Sequence, residues 1–420
     1  MQNNYKNFNG LINKKVNNYY VPENIEQLKN IIIGNDKISV VGSIHAFNEI
    51  SYNKHAMVDM SNFKEIKEIN LEDKLITVQS GIKLYELLDE LKKYNLTLPV
   101  LPSISNISLA GGISTGTHGS NVNNGSLSSI VKSMNIILAN GESKFIDETD
   151  EDFRAVICGL GCLGIIENLT IRCTDIFRVS KRKVEVNWNY LNNHLENLLK
   201  TFEYTYLQVH QFDDNLKTDV FLIKKISHIT PSSADSRVAT PQNETLDYKL
   251  DGVVTSRKEY EQSDLMTNKN FSKYIETELA FDYKDLNSAI IDISKFHKKY
   301  SKKYEIMPDD ILLVRFLGAD YAFLSMASER KTVFISTFFD APDPSNIKKI
   351  NVIYKFLKKL CDEMIYKYGA RPHHGKINSL NKEKMELLYP NFDKFMQTKN
   401  KCDPENKFTN SHLEMQLFHL

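Results

Sequence analysis

The residues able to do chemistry fall into three short stretches and one isolated strand position. Near the end of the chain, Arg371-Pro372-His373-His374-Gly375-Lys376 packs arginine, histidine and lysine into six residues. Near the start, the strand-like run Lys37 to Gly42 turns into Ser43-Ile44-His45-Ala46-Phe47-Asn48. A strand that ends in Gly-Ser and a short loop is a natural phosphate-binding turn, because unpaired backbone N–H groups converge on an anion. Between them, Ser105 to Ser120 holds four glycines, several small hydroxyl residues and no Asp, Glu, Lys or Arg. Small residues let the backbone approach a ligand closely and leave N–H groups free to point inward. The ligand this suits is large, flat and anionic at one point, such as a dinucleotide; the alternative is a tight Gly-rich turn between strands. His45 sits at the tip of the first turn, where a lone histidine is more often structural than functional. Arg315 lies between apolar Val314 and Phe316, so it reads equally as a surface arginine or as a cation in a dry site. In the dry site a fixed cation such as Arg315 or Lys376 would stabilise negative charge developing on a substrate oxygen.

Positioning these stretches takes a large framework. A chain of 420 residues makes two domains, or one with a large insertion. Lys+Arg and Asp+Glu both number 53, a balance that argues against a nucleic-acid or membrane-surface partner. No apolar run reaches membrane-spanning length and the N-terminus has no secretory apolar core, which points to the cytoplasm. The odd count of five cysteines, without metal-ligand spacing, suits reduced thiols and implies no metal.

The periodicity predicts helices over Asn24 to Gly34, Ile82 to Asn95, Asp150 to Cys158, Asp285 to Tyr300 and Ile347 to Tyr366. In the last, Ile350, Ile353, Leu357, Leu360 and Met364 share a face. Strands are expected over Ala56 to Met60, Leu75 to Ser80, Ile165 to Arg172, Thr205 to Phe212, Val220 to Lys225, Ile311 to Leu317, Tyr321 to Ser325 and Thr332 to Phe339. Met134 to Leu138 and Ser143 to Ile146 flank Asn140-Gly141, a hairpin whose tight turn needs two positive φ angles. Pro231 to Asp251 is expected as a long exposed loop. Hairpins mixed among helices make the class α+β, not a regular βαβ alternation. No Gly-x-Gly-x-x-Gly turn follows a strand, which disfavours a doubly wound nicotinamide-binding fold.

Taken in order, these segments resemble the flavin-dependent oxidases of the vanillyl-alcohol-oxidase superfamily, which share the PCMH-type FAD-binding domain. The closest branch is the aldonolactone and alditol (xylitol) oxidases. Val41 to Asn48 is similar to that branch's pyrophosphate loop. Ser114-Thr115-Gly116-Thr117-His118-Gly119-Ser120 is similar to its Ala-Thr-Gly-Thr-His-Gly signature. Gly161-Cys162-Leu163-Gly164-Ile165-Ile166 is similar to a segment whose backbone meets the adenine side of FAD. Val314-Arg315, Thr332 to Phe339, Arg371 to Lys376 and Asp403 to Asn410 follow at family-like spacing.

The resemblance implies a two-part FAD-binding domain over 1–175, a cap domain with an antiparallel sheet flanked by helices over 176–370, and a segment over 371–420 that returns to the FAD region. It implies FAD held by Val41, Gly42, Ser43, Ile44, His45, Ala46, Ser103, Ser108, Gly111, Thr115, Gly116, Thr117, His118, Gly164, Ile166 and His373, with His45 bonded covalently to the flavin. Lys376 and Arg315 become the catalytic cations. Ser103, Arg315, Thr337, His374 and Lys376, with Ser336 in reserve, become the substrate contacts. The activity implied is removal of hydride from a hydroxyl-bearing carbon of a sugar-derived aldono-1,4-lactone or polyol to flavin. O2 reoxidises the flavin to give H2O2, and Pro102 occupies a gatekeeper position where proline looks like an oxidase. The alternative is a dehydrogenase of a sugar or sugar conjugate with another electron acceptor. The resemblance sets no oligomeric state.

Two positions depart from the branch. Leu313 stands where a substrate-gripping Glu is usual, two residues before Arg315. His374 stands where Trp is usual, replacing an apolar wall with a titratable one.

Overall fold

The computed structural model describes residues 4–226, 253–261 and 272–418. Three sheets carry the architecture. Asn18–Tyr20, Ala56–Asp59 and Ser39–Val41 form a small parallel sheet with Ala56–Asp59 in the middle. Ala56, Met57 and Val58 are fully buried, the composition expected of a strand covered on both faces. Beside it lies an antiparallel sheet in the order Ser143–Asp147, Val131–Ile137, Ile165–Arg172, Leu75–Gln79, Ile66–Asn70. The third is an eight-stranded sheet in the order Val253–Glu261, Arg178–Asn187, Lys217–Ile226, Tyr206–His210, Ile311–Leu317, Thr332–Asp340, Tyr274–Asp282, Arg371–Pro372. Every pairing within it is antiparallel. The molecule is thus α+β, with an antiparallel cap sheet over a two-sheet base.

The helices form where apolar spacing and capping agree. Ile25–Ile33 begins at Asn24, whose side chain accepts from the Gln27 N–H. Leu84–Lys92 buries Leu84, Leu87, Leu88 and Leu91 on one face. Ile347–Tyr368 is capped by Asn346 and ends at Gly369, which takes the left-handed φ of 60° that glycine tolerates. Its buried stripe contains all five residues expected from the periodicity, and with Leu286–Tyr304 it covers one face of the cap sheet. The other face looks toward the base, and the site lies there.

Residues past 371 tie the two parts together. The Ile38 N–H donates to the Lys407 carbonyl at 2.9 Å, and the Phe47 N–H to the Gly375 carbonyl at 2.8 Å. Lys37 Nζ reaches the Asn406 carbonyl, Thr409 and Glu414.

Three expectations are corrected. Tyr321 to Ser325 is not a strand: Asp320 ties the segment into turns, accepting from the Ala322 N–H and from Ser126, so its apolar residues are buried without pairing. The turn after Val131–Ile137 has positive φ only at Gly141, not at Asn140. It closes as a longer loop, in which Leu138 N–H donates to Glu142 O and Gly141 N–H to Leu138 O. The third is an omission, since Trp188–Thr201 is a helix and Tyr274–Asp282 a nine-residue strand, seventh of eight in the cap sheet. The Pro231 to Asp251 loop expectation lies outside the described residues. Among the described residues no helix is long and apolar enough to cross a membrane.

Candidate active site

The base contributes a cradle of backbone. After Ser39–Val41 the chain loops through Gly42 to Ala46, with Ile44 at a φ of 49°. That region is costly for a β-branched residue, and such strain persists where surrounding structure enforces it at a functional turn. Among the described residues, the N–H groups of Ser43, Ile44, His45 and Ala46 donate to no backbone carbonyl. Gly42 faces Ser108 so closely that a Cβ would stand 1.8 Å from its Oγ, and a Cβ on Gly111 would stand 2.7 Å from the same atom. Ser43 Oγ and Ser80 Oγ are buried without a partner. Free N–H groups, orphaned hydroxyls and glycines with no room for a side chain make a cradle for a phosphate-bearing ligand.

This cradle opens into a cavity of about 460 Å3 running between base and cap. Val41, Gly42, Ser43, Ile44, His45 and Ala46 line it, with Pro102, Ser103, Ser108, Gly111, Thr115, Thr117, His118, Gly164 and Ile166. On the base side the lining is mostly small and uncharged, which suits the flavin dinucleotide expected from the sequence. His45 stacks on Phe8 with ring centroids 4.7 Å apart. Burial first, then Lys376 and Lys83, push its pKa down to about 4. Its imidazole is therefore neutral near pH 7, the form with a nucleophilic lone pair.

The cap contributes charge. On Tyr274–Asp282, alternate residues Tyr274, Glu276 and Glu278 face the cavity. Glu276 pairs with Lys376, and Glu278 pairs with Arg315 from Ile311–Leu317. Register puts these together, because Glu278 lies opposite Ser336, and Ser336 lies opposite Leu313 on the next strand. Arg315 also donates to Ser103 Oγ at 3.2 Å and to the His118 carbonyl at 3.3 Å, while its Nε has no partner. Lys376 Nζ sits 4.5 Å from the centre of the Phe47 ring.

The titrations follow from this pairing. Burial pushes Glu278 up, but Arg315 and then His118 outweigh it and hold the carboxyl well below its usual range. At Glu276 burial wins over Lys376 and the carboxyl is raised. Burial also opposes the charge of Lys376, yet Glu276, Tyr274 and Glu278 keep its pKa above the usual ammonium value. His118 and His373 are both pushed down, chiefly by burial. His118 Nδ1 lies 2.9 Å from the Gly119 carbonyl, so the proton is on Nδ1. Its Nε2 then carries a lone pair, 3.5 Å from Glu278 Oε1 and without a hydrogen bond. His373 Nδ1 accepts from the Gly375 N–H at 3.0 Å, which leaves its Nε2 as the donor. His118, Glu278 and His373 offer ligand atoms within 4.8 Å of one another, a set of metal-ligand types in which Arg315 already supplies the charge facing Glu278.

Three sequence candidates fall elsewhere. Thr337 lies opposite Thr277 and so points to the helix-covered face of the cap sheet, where the Thr277 hydroxyl bonds the Ile377 carbonyl. His374 turns away from His373, bonding the Leu324 carbonyl at 2.7 Å and stacking on Tyr389. Gly116 sits at a φ of 67° against Met326, outside the cavity lining. Ser336 faces the site side of the sheet but spends its hydroxyl on Glu278.

Glu276 and Glu278 went unrecognised in the sequence. Their signal was the period-two pattern of Tyr-Ile-Glu-Thr-Glu-Leu-Ala-Phe-Asp. Leu313 lines the cavity without a carboxylate, and these two carboxylates from another strand line it as well.

Comparison with known proteins agrees with this geometry. Residues 17–146 match a FAD binding domain, and residues 220–416 match the D-arabinono-1,4-lactone oxidase domain. L-gulonolactone oxidase of Mus musculus is 24% identical over 427 residues, covering 94% of each chain. L-gulono-1,4-lactone dehydrogenase of Mycobacterium tuberculosis is 23% identical, covering 90% of this chain and 89% of its own. D-arabinono-1,4-lactone oxidase of Kluyveromyces lactis is 32% identical over 212 residues, 48% of this chain and 40% of its own. Among solved structures, cholesterol oxidase from Brevibacterium sterolicum superposes with a TM-score of 0.78 at 14% identity, covering 99% of this chain and 97% of that one. That likeness speaks to the fold.

Proposed function

We propose that the chain is an FAD-dependent aldonolactone oxidoreductase that oxidises a hydroxyl-bearing carbon of an aldono-1,4-lactone or related polyol, with O2 as the final acceptor. The observation that carries this reading is one cavity lined both by a backbone cradle and by two buried carboxylate–cation pairs. Bound FAD would supply the hydride acceptor. The chain's residues supply binding, charge and proton handling. Arg315 and Lys376 are held in fixed orientation by Glu278 and Glu276, so they stabilise charge developing on oxygen without reorganising. The reacting hydroxyl can donate a hydrogen bond to the unpartnered Oε2 of Glu278, and the lone pair of His118 Nε2 can take its proton. Ser103, bonded to Arg315, orients the same substrate oxygen.

His45 is the proposed attachment point for covalent flavin. Its neutral imidazole lines the cavity on the cradle loop, and Phe8 fixes its ring plane. Pro102 in the lining supports O2 as acceptor by resemblance. The Mycobacterium tuberculosis relative, named a dehydrogenase, supports a second reading with another electron acceptor. The five described cysteines are all unpaired and buried, which supports a reducing compartment such as the cytoplasm.

The test starts with acid-denatured protein passed through a filter. Yellow chromophore should stay with wild-type polypeptide and be released from the His45→Ala protein. A panel of aldonolactones and polyols follows, read by oxygen consumption and peroxide. Turnover with an artificial acceptor but without oxygen uptake would transfer the reading to a dehydrogenase, and protein that never binds flavin would overturn it.

A further inference from the structure

Two carboxylates on alternate positions of one strand look into the same cavity, and each leaves one oxygen uncommitted. Glu276 is 3% exposed, lines the cavity and gives one oxygen, Oε2, to Lys376, which leaves its second oxygen for a ligand. Glu278 is fully buried and gives Oε1 to Arg315 and Ser336, while its Oε2 is buried with no partner. An unmade hydrogen bond on a buried carboxylate is costly. A ligand that donates there recovers the cost on binding. Strand geometry sets the two side chains about 7 Å apart. That spacing matches hydroxyls at separated positions of a small sugar, not two on one C–C bond.

Charge narrows the ligand further. Each carboxylate is already balanced by one cation, so the wall accepts hydrogen bonds without calling for a charged substrate. Leu313, also in the lining, offers no acceptor at its own position.

Resting on the function proposed above, we propose that Glu276 is the substrate-gripping carboxylate of this site, accepting a hydroxyl distant from the carbon that Arg315 and Glu278 serve. The acceptor that Leu313 cannot provide comes from a strand two places across the cap sheet. Glu276 thereby selects neutral substrates that carry a distal hydroxyl, and discriminates between lactones that differ only in that group.

The experiment compares flavin-loaded wild type, Glu276→Gln and Glu276→Asp on two aldonolactones, one carrying a distal hydroxyl and one lacking it. Glu276→Gln loosens Lys376 and should lower turnover on both lactones alike, but it should raise KM about ten- to hundredfold more for the hydroxyl-bearing lactone than for the other, the range for a hydrogen bond to a charged group. The discrimination ratio therefore falls toward one. Glu276→Asp keeps the charge facing Lys376 but withdraws the acceptor, and should fall between. Calorimetry with a lactone lacking the reacting hydroxyl should show the same loss in Kd. Equal losses on both lactones, or a fall in kcat at constant discrimination, would reduce Glu276 to a support for Lys376 and overturn the inference alone. Wild-type holoenzyme inactive on every lactone and polyol would overturn the functional reading and this inference with it.

Discussion

The two walls of the cavity are built on opposite plans. On the base side, contiguous backbone does the work: Gly42 to Ala46 and Ser103 to His118 present N–H groups, hydroxyls and missing side chains. On the cap side, isolated side chains do it, drawn from Tyr274–Asp282, Ile311–Leu317 and the turn after Arg371–Pro372, and set by strand register. The first plan suits a large ligand that must be held the same way in every turnover. The second can move a charge from one strand to another and keep the site's net balance, as Leu313 and Glu276 illustrate.

The sharpest way to break the base wall is to fill it. Gly42→Ala would put a methyl 1.8 Å from Ser108 Oγ and 2.6 Å from its Cβ, closer than real contacts allow. The loop must shift, and the expected outcome is protein that folds but purifies without visible flavin absorbance and without activity. Normal flavin content in this variant would mean that the cradle is not where the cofactor rests.

On the cap wall, single side chains should matter by graded amounts. Arg315→Met leaves Glu278 buried and unpaired, a change worth about 3–5 kcal/mol in stability. Turnover should drop by about 10²–10³, the scale for losing one preorganised donor. Flavin should remain bound, separating this variant from Gly42→Ala. Urea midpoints and steady-state rates check both parts.

Acid should weaken the fold at several buried histidines, only one of which, His45, lines the cavity. Burial pushes His374 and His45 down to about 4 and His297 down to about 3. The unfolded chain, with ordinary histidine values near 6.5, therefore binds more protons than the folded one between pH 6.5 and 4. Stability is fully present above that window and is lost as pH falls through it. His374 alone, fully buried, would contribute about 3 kcal/mol to the loss. Chemical denaturation across this range should show a falling midpoint, and a flat profile would show these histidines to be protonated in the fold.

The same contrast explains what the sequence disclosed. The base wall was legible because its residues are neighbours in the chain: Val41 to Ala46 line the cavity, as do Ser114, Thr115, Thr117 and His118, with Gly116, Gly119 and Ser120 off it. Helix faces were legible too, since Ile347–Tyr368 buries the expected stripe. The cap wall was legible only at Arg315, Lys376 and His373, where the order of residues was informative. Glu276 and Glu278 stayed hidden because their meaning depends on partners far away in sequence, Arg315 being 37 residues from Glu278 and Lys376 100 residues from Glu276. Thr337 lies off the cavity for a related reason: one residue of offset along a strand reverses the face.

That parity supplies the smallest and cleanest test. Thr337 is 1% exposed and shares its row with Thr277, on the face covered by Ile347–Tyr368. Thr337→Val keeps the shape and removes the hydroxyl. If the register is as described, KM and kcat should stay within about twofold and the stability change within about 1 kcal/mol, since no cavity is made and no ligand contact is lost. Ser336→Ala, one position earlier, removes a donor to Glu278 and should cost more activity than Thr337→Val. A reversed order, with Thr337→Val raising KM tenfold and Ser336→Ala silent, would require the strand Thr332–Asp340 to slip by one residue against Tyr274–Asp282. Such a slip would also carry Glu276 and Glu278 out of register with Arg315, so the two valine and alanine variants probe the charged wall without touching any of its charges.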